Sequence, residues 1–330
     1  MKTTLLSTVL ATACCAALVS TSVQAEKTLK LAHFVPPAHV LTGAIIEPLK
    51  DGVEEASGGD LQIDVYPGGE LGAGPMEQYV RALQGVADIT WGLAGYTSSQ
   101  FERSMIVEMP GAIPEGMTGY DMLWNAYDEH LEREFPGTHP LALWVSEPNI
   151  FIMKDHDIRT PDDLDGLKMR VSGSMAAAMI ARYGATPVQM PAGEMYNALQ
   201  TGLIDGIVTG ASAITDFKLD EVANSYTIGA PMGHIMFYLV MNQRSYDGLT
   251  DAQRTVLDEH SGRWLSRHGE EGWNALAERT LEAVAADSNN TVINLSDAEI
   301  APFETIADAF RAERLSDSGT ANILSSMRGE

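Results

Sequence analysis

The chain has 330 residues and carries 45 Asp and Glu against 21 Lys and Arg, a formal net charge of −24 at pH 7. A surface this acidic repels nucleic acid, and the sequence contains no basic cluster, so nucleic acid is excluded as a partner. The length exceeds what one small core requires and predicts two lobes, while the charge is typical of a protein kept soluble in a salty medium.

Residues 1–25 predict a secretory signal peptide rather than part of the fold. Lys2 supplies a positive start, residues 5–19 form an apolar run, and Val23-Gln24-Ala25 is a small-residue cleavage site. The run is shorter than the ~20 residues that a membrane span needs, and the residues before Cys14 do not fit a lipoprotein signal. We therefore expect a periplasmic protein with no covalent membrane anchor, whose mature form lacks both cysteines, Cys14 and Cys15.

Strand and helix patterns alternate from residue 28 onward. The predicted elements are strands at 28–33, 60–66 and 88–93 and helices at about 39–56 and 72–83. The second helix opens with two glycines, but Glu77 stands where a dinucleotide fingerprint would need another, which argues against a nucleotide cofactor. Lobe one is predicted to comprise residues 26–146 plus 235–275.

Ligands of open α/β sheets bind in the crevice beyond the carboxyl ends of the strands. In lobe one, that rule selects His33 and Phe34 after the first strand and the segment containing Trp91, Leu93 and Tyr96 at the end of the third. Trp91 fits a core position equally well, since large aromatic side chains fill cores routinely, and His33 is more typical of a structural histidine. Tyr96 lies in a glycine-containing loop and is the stronger pocket candidate.

Residues 160–213 form the centre of the second lobe. Thr160 is predicted as a helix N-cap with a proline at the first helical position, and a strand follows at 167–171. Arg170 ends this strand and Ser172-Gly173-Ser174 opens the next helix, so an anion held by Arg170 would also meet free backbone N–H groups. The alternative for Arg170 is a surface residue or a partner for a nearby aspartate.

A helix at 194–200, capped by Gly202, and a strand at 204–209 continue a β-α-β-α-β succession, which is typical of an open α/β sheet. Apolar strands at 141–145 and 235–241 are predicted to carry the chain between the lobes. The remaining predictions are lobe two at 147–234 plus 276–312, a helical region at 250–285 with Trp264 and Trp273 as packing anchors, and a C-terminal tail at 313–330.

Six segments of the sequence, taken together, match the pattern of a known protein family. They are LAHF at 31–34, VYPGGELG at 65–72, GVADI at 85–89, TPDDLDGLKMRV at 160–171, GATPVQMP at 184–191 and EMYNALQTGLIDGIVTG at 194–210. In this order they resemble the extracytoplasmic solute-binding proteins of TRAP transporters, which import organic acids with ion gradients. The resemblance implies a two-lobed, periplasmic-binding-protein-like α/β fold, with the ligand in the interlobe cleft and a long helix spanning both lobes. It also implies that Arg170 forms a salt bridge with the ligand carboxylate and that the partners are membrane subunits of the transporter.

The chain departs from better-known members of that family at the pocket. Thr209 stands where binders of sialic acid or C4-dicarboxylates often have an asparagine, and Ile150 stands where sialic-acid binders have a second arginine. Leu93 and Tyr96 replace charged residues of those binders, and Ala192 replaces an aromatic residue. One arginine in an otherwise apolar and aromatic lining fits a single carboxylate, because a second buried carboxylate without a partner is strongly unfavourable.

The predicted ligand is therefore a small-molecule monocarboxylate with an apolar or aromatic body. A C4-dicarboxylate, with its second charge met by an unidentified residue, and a sensory ligand-binding role remain as alternatives. The sequence contains no HExxH, GxSxG or GxxxxGK[ST] motif, which argues against an enzyme, and neither a metal nor another cofactor is predicted.

Overall fold

The computed structural model describes residues 26–330, and the predicted signal peptide at 1–25 lies outside the described residues. The described chain forms two β-sheets with helices packed on them, one sheet in each lobe, and a cavity lies between the lobes. The predicted two-lobed α/β fold is thus confirmed. Across residues 26–330, no helix is both long and apolar enough to cross a membrane.

Each lobe contains one sheet. The strands are β1 (Lys27–Ala32), β2 (Leu61–Tyr66), β3 (Ile89–Leu93), β4 (Thr138–Val145), β5 (Asn149–Met153), β6 (Lys168–Val171), β7 (Thr186–Gln189), β8 (Gly206–Gly210), β9 (Ser225–Ile228), β10 (Met236–Asn242) and β11 (Thr291–Asn294). The order is β2-β1-β3-β10-β4 in the first sheet and β11-β9-β5-β8-β6-β7 in the second. The chain therefore crosses from the first sheet to the second between β4 and β5 and returns between β9 and β10.

Helices cover these sheets. They are α1 (Glu47–Ala56), α2 (Gln78–Gln84), α3 (Gly119–Ala126), α4 (Ser174–Arg182), α5 (Met195–Thr201), α6 (Ser212–Asp216), α7 (Gln243–Asp247), α8 (Asp251–Glu259), α9 (Gly262–Ala286), α10 (Asp297–Leu315) and α11 (Ser318–Arg328). The helix predicted at 39–56 contains a π-helical segment, Thr42–Ile46, before α1. Residues predicted as a tail form α11, which packs on α3, and the Asn125 side-chain amide donates to the Met327 carbonyl at 3.1 Å.

The carboxyl ends of the parallel strands in both sheets lie at the cavity. β1 runs parallel to β2 and β3, while β6 runs parallel to β7 and β8, so the carboxyl ends within each group lie on one edge. These two edges face each other across the gap between the lobes, because residues from both line the cavity there. The predicted helix start at Thr160 is also present, with its backbone N–H donating to the Asp163 carboxylate at 2.8 Å.

Helix α9 spans both lobes, as the family resemblance implied. It packs on β4 and α3 of the first lobe and on α6 and β11 of the second. Gly272 lets the helix approach lobe one closely, since a Cβ at that position would lie 2.4 Å from the Ala44 Cβ. On the lobe-two side, the Thr280 and Thr215 hydroxyls lie 2.7 Å apart. Of the two predicted packing anchors, Trp273 is buried and Trp264 is partly buried against the core of lobe one.

Candidate functional site

The interlobe cavity surrounds about 460 Å³ of space not occupied by protein atoms, part of it open to solvent. Lobe one and the crossing segments contribute Phe34, His39, Trp91, Leu93, Ser146, Ile235 and Phe237; lobe two contributes Arg170, Ala192, Met195, Thr209, Gly210, Ser212, Ala213, Asp216 and Phe217; and α9 contributes Trp273. The lining is thus mostly apolar and aromatic, with a few polar groups, as is usual for small-molecule sites.

Arg170 is the cation of this cavity. It lies on β6 with only 1 % of its surface exposed, and its Nε and Nη2 donate to the Met190 carbonyl at 3.1 and 3.0 Å. No Asp or Glu among residues 26–330 forms an ion pair with it. Burial lowers the pKa of Arg170, although an arginine remains charged in proteins. A buried guanidinium without an anionic partner is a ready-made anion site.

Tyr96 supports this cation from the opposite lobe. It lies outside the cavity lining, and its hydroxyl accepts a hydrogen bond from the Ala192 backbone N–H at 2.8 Å. Burial raises the pKa of Tyr96, and the neighbouring Arg170 opposes that shift, so the phenol stays neutral at pH 7. The contact ties the loop after β3 to the lobe that carries Arg170.

Stacked aromatic rings form one wall of the cavity. Phe34 stacks on Trp91 with ring centroids 4.9 Å apart, and Trp91 stacks on Phe237 at 5.7 Å. Trp273 extends the cluster at 5.1 Å from Phe237. Trp91 belongs to the lobe-one core and also lines the cavity, so its position is compatible with both predicted roles. Such a wall favours a flat apolar group lying against it.

His39 and Asp216 meet across the cavity from different lobes. The Asp216 carboxylate accepts from the Val40 backbone N–H at 3.1 Å, and its other oxygen lies 3.4 Å from the His39 Nε2. The His39 Nδ1 accepts from the Leu41 N–H, which assigns the ring proton to Nε2. Burial lowers the pKa of His39 to about 3 and raises the pKa of Asp216 to about 7. The histidine is therefore neutral, and the pair offers one donor and one acceptor.

The cavity brings together six of the nine residues predicted as a binding site: Phe34, Trp91, Leu93, Arg170, Ala192 and Thr209. Tyr96 lies directly behind them, whereas His33 and Ile150 lie outside the lining. His33 is buried, and burial lowers its pKa to about 4, while an interaction with the Val35 backbone opposes that shift. Ile150 packs into the core of lobe two. Neither side chain therefore contacts the cavity.

Several lining residues were not predicted as site residues: His39, Ser146, Asp216, Phe217, Phe237 and Trp273. Trp273 was predicted as a packing anchor, and Phe237 belongs to a strand predicted from its apolar run. The pairing of His39 with Asp216 has no local signal, because the two residues are far apart in the sequence and meet only when the lobes meet. Residues 26–330 contain no group of three or more His, Cys, Asp or Glu able to hold a metal ion.

The chain is similar to proteins of known family. The sequence model of bacterial extracellular solute-binding protein, family 7, matches residues 31–316. The ectoine-binding periplasmic protein TeaA of Halomonas elongata is 29% identical over 269 residues, which cover 78% of this chain and 76% of that protein.

Two solved structures of similar proteins also contain ligands. A TRAP solute-binding protein from Rhodoferax ferrireducens, in complex with copurified benzoate, has a TM-score of 0.82 and 30% identity over 92% of this chain and 97% of that one. A marine metagenome TRAP solute-binding protein specific for aromatic acids, with bound metahydroxyphenylacetate, has a TM-score of 0.83 and 25% identity over 92% of this chain and 97% of that one.

Proposed function

This chain belongs to bacterial extracellular solute-binding protein family 7, the solute-binding proteins of TRAP transporters, and we propose that its ligand is an aromatic monocarboxylate. As a member of that family it is a substrate-binding transport protein and not an enzyme, and it works with membrane subunits. In our proposal Arg170 holds the carboxylate, the aromatic wall holds the body of the ligand, and the closed complex delivers the ligand from the periplasm, after cleavage of a signal peptide at residues 1–25.

Arg170 carries this assignment, because its guanidinium is buried and unpaired within residues 26–330. The Met190 carbonyl occupies the Nε–Nη2 side of the guanidinium, which leaves its Nη1–Nη2 end for a carboxylate with two parallel N–H···O bonds. Closure of the lobes would exclude water from this pair and strengthen it. Arg170 would be paired only in the ligand complex.

The wall formed by Phe34, Trp91 and Phe237 supports an aromatic or otherwise flat body for the ligand. The relative from Rhodoferax ferrireducens contains benzoate, an anion with one carboxylate and an apolar ring. A C4-dicarboxylate is disfavoured, because Arg170 is the one cationic lining residue of the described cavity and a second carboxylate would be buried without a cationic partner. The sensory alternative shares the same binding chemistry and differs only in the partner.

The first experiment is mass spectrometry of the small molecules released by denaturing protein purified from the periplasm. We expect an aromatic monocarboxylate from the wild type and none from Arg170→Ala. Calorimetry with benzoate should then show that Arg170→Ala weakens binding by about 2–5 kcal/mol.

The matched control is Arg182→Ala, which removes a half-exposed arginine of the same lobe that pairs with Glu313 outside the cavity. Circular dichroism verifies that both variants are folded. Affinity near that of the wild type in Arg170→Ala would refute the assignment of the anchor, and a released dicarboxylate would refute the ligand class.

A further inference from the structure

The cavity has a second polar end, formed by Asp216 and His39. Both residues line the cavity, and their side chains are only 3 % and 5 % exposed. Neither residue takes part in holding a carboxylate in the function proposed above. Buried polar groups of this kind are retained at binding sites when a ligand completes their hydrogen bonds.

A series of contacts between aromatic rings connects this end to Arg170. Tyr96 stands beside Arg170, and Phe34 follows at 6.2 Å from the Tyr96 ring. Trp91 stacks on Phe34 at 4.9 Å, and the His39 ring lies 5.6 Å beyond Trp91. A ligand whose carboxylate pairs with Arg170 and whose ring lies along this wall therefore presents its far edge to Asp216 and His39.

We propose that Asp216 and His39 recognise a hydroxyl group on the ligand, so that the preferred ligand is an aromatic monocarboxylate with a ring hydroxyl remote from its carboxylate. This inference rests on the proposed function. A hydroxyl both donates and accepts, and the site offers the matching pair: an Asp216 carboxylate oxygen and the His39 Nε2–H. Their present separation of 3.4 Å is long for a charge-assisted hydrogen bond, so each has capacity for a better partner.

The charges around Asp216 and His39 favour a neutral hydrogen-bond donor on the ligand. Burial is the main cause that raises the pKa of Asp216, and the nearby Glu147 adds to it, while the Val40 N–H opposes both. No Lys or Arg among residues 26–330 pairs with Asp216; its one ionic contact there is His39. A hydroxyl that donates to Asp216 therefore relieves a desolvated acceptor, whereas a second carboxylate at this end would have no cationic partner.

Asp216 also contacts the other lobe, and a purely structural role of this contact predicts a different effect of substituting Asp216. Val40 belongs to lobe one and Asp216 to lobe two, so the hydrogen bond between them links the two lobes. If that were the only role of Asp216, its substitution would weaken the binding of every ligand by the same factor. Hydroxyl recognition instead requires that the loss depends on the ligand.

Calorimetry with matched ligand pairs separates these roles. The pairs are benzoate against 3- and 4-hydroxybenzoate, and phenylacetate against 3- and 4-hydroxyphenylacetate, each with wild type and Asp216→Asn. We expect wild type to bind the better hydroxylated member of a pair about tenfold more tightly, the order of one hydrogen bond to a charged group. In Asp216→Asn the ratio should fall to about two or less. Asp220→Asn, which alters an exposed carboxylate of the same lobe, should keep the wild-type ratio.

Two results would overturn the inference. One is equal affinity of wild type for the hydroxylated and unsubstituted acids. The other is a loss by the same factor for both members of each pair in Asp216→Asn, which would leave Asp216 as an interlobe contact only. In either case binding of benzoate that depends on Arg170 would still uphold the proposed function. If no aromatic acid binds to wild type, the proposed function itself fails, and hydroxyl recognition fails with it.

Discussion

Arg170 and a lysine would place similar charge at the same point, but only the guanidinium is a planar fork. The Met190 carbonyl orients that fork through Nε and Nη2, and Arg170 lines the cavity. A lysine ammonium has its three donors on one nitrogen, so it cannot offer a carboxylate two parallel N–H···O bonds while it keeps the contact with Met190. Orientation, and not charge alone, is what Arg170 contributes.

We therefore predict that Arg170→Lys weakens benzoate binding by about 1–3 kcal/mol although it conserves the charge. Calorimetry at one ionic strength measures the change, and Arg182→Lys provides the same substitution at an exposed ion pair outside the cavity. Retention of wild-type affinity within about threefold by Arg170→Lys would show that a point charge suffices.

Glu108 is a buried carboxyl that makes stability depend on pH. Its Oε1 accepts from the Met236 backbone N–H at 2.8 Å, and burial raises its pKa to about 8. Because the folded-state pKa lies above the ordinary value of 4.5, folding favours the protonated form. The stabilising contribution is complete below that ordinary value and is lost as the pH rises toward 8.

Glu108→Gln removes this titration while it keeps a side-chain oxygen for Met236. We predict that the variant gains about 2–4 kcal/mol relative to wild type when the pH is raised from about 5 to about 8. Urea unfolding at the two pH values measures the difference, and Glu102→Gln, at an exposed site nearby, serves as the control. An equal difference between variant and wild type at both pH values would contradict the prediction.

At the scale of elements, the start of α4 meets the loop after β3 at two glycines. A Cβ at Gly173 would lie 2.6 Å from the Gly95 Cα, so backbone touches backbone across the gap between the lobes. The Gln189 amide donates to the Gly95 carbonyl at 3.2 Å, and the Ser174 N–H donates to the Ser98 hydroxyl at 3.3 Å. This contact exists only while the lobes are together.

Gly173→Ala is therefore predicted to hinder closure without unfolding either lobe. The φ of Gly173 is −159°, which any residue adopts, so the effect comes from the clash and not from backbone strain. We expect about a tenfold loss of ligand affinity, since overpacking of this kind costs about 1–3 kcal/mol, with the unfolding midpoint of the ligand-free protein unchanged.

Calorimetry measures the affinity of Gly173→Ala, and X-ray scattering measures the decrease in radius of gyration on ligand addition. Gly193→Ala is the matched control, because no atom lies within 4 Å of a Cβ at that glycine. Wild-type affinity and compaction in Gly173→Ala would show that the two glycines do not limit closure.

Local sequence patterns predicted the elements whose conformation depends on residues close to one another in the sequence. The cap at Thr160 and the strand that ends at Arg170 depend on neighbouring residues, and both lie where predicted within one residue. Helices were expected from residue 297 to 328, where α10 and α11 lie, whereas the π-helical segment Thr42–Ile46 and the packing of α11 on α3 depend on tertiary contacts that the sequence did not indicate. Arg170 was identified from a family motif, whereas the approach of His39 to Asp216 depends on how two separately folded lobes meet.

At the scale of the whole molecule, the net charge of −24 opposes the approach of the anion that the cavity is proposed to bind. Repulsion between the protein and an anionic ligand acts over distances at which salt screens it, about 10 Å at 0.1 M ionic strength. The pair between Arg170 and a carboxylate would form in a buried place where screening is weak. Salt should therefore change the rate of arrival much more than the rate of escape.

We predict that the association rate constant for benzoate rises about two- to fivefold between about 20 mM and about 0.5 M NaCl, while the dissociation rate constant changes little. Stopped-flow tryptophan fluorescence can follow binding, since Trp91 and Trp273 line the cavity. Repetition with KCl distinguishes screening from a specific ion effect. An association rate that falls with salt would mean that the field at the cavity mouth is positive despite the net charge, and that Arg170 attracts the ligand from outside the cavity as well as holding it within.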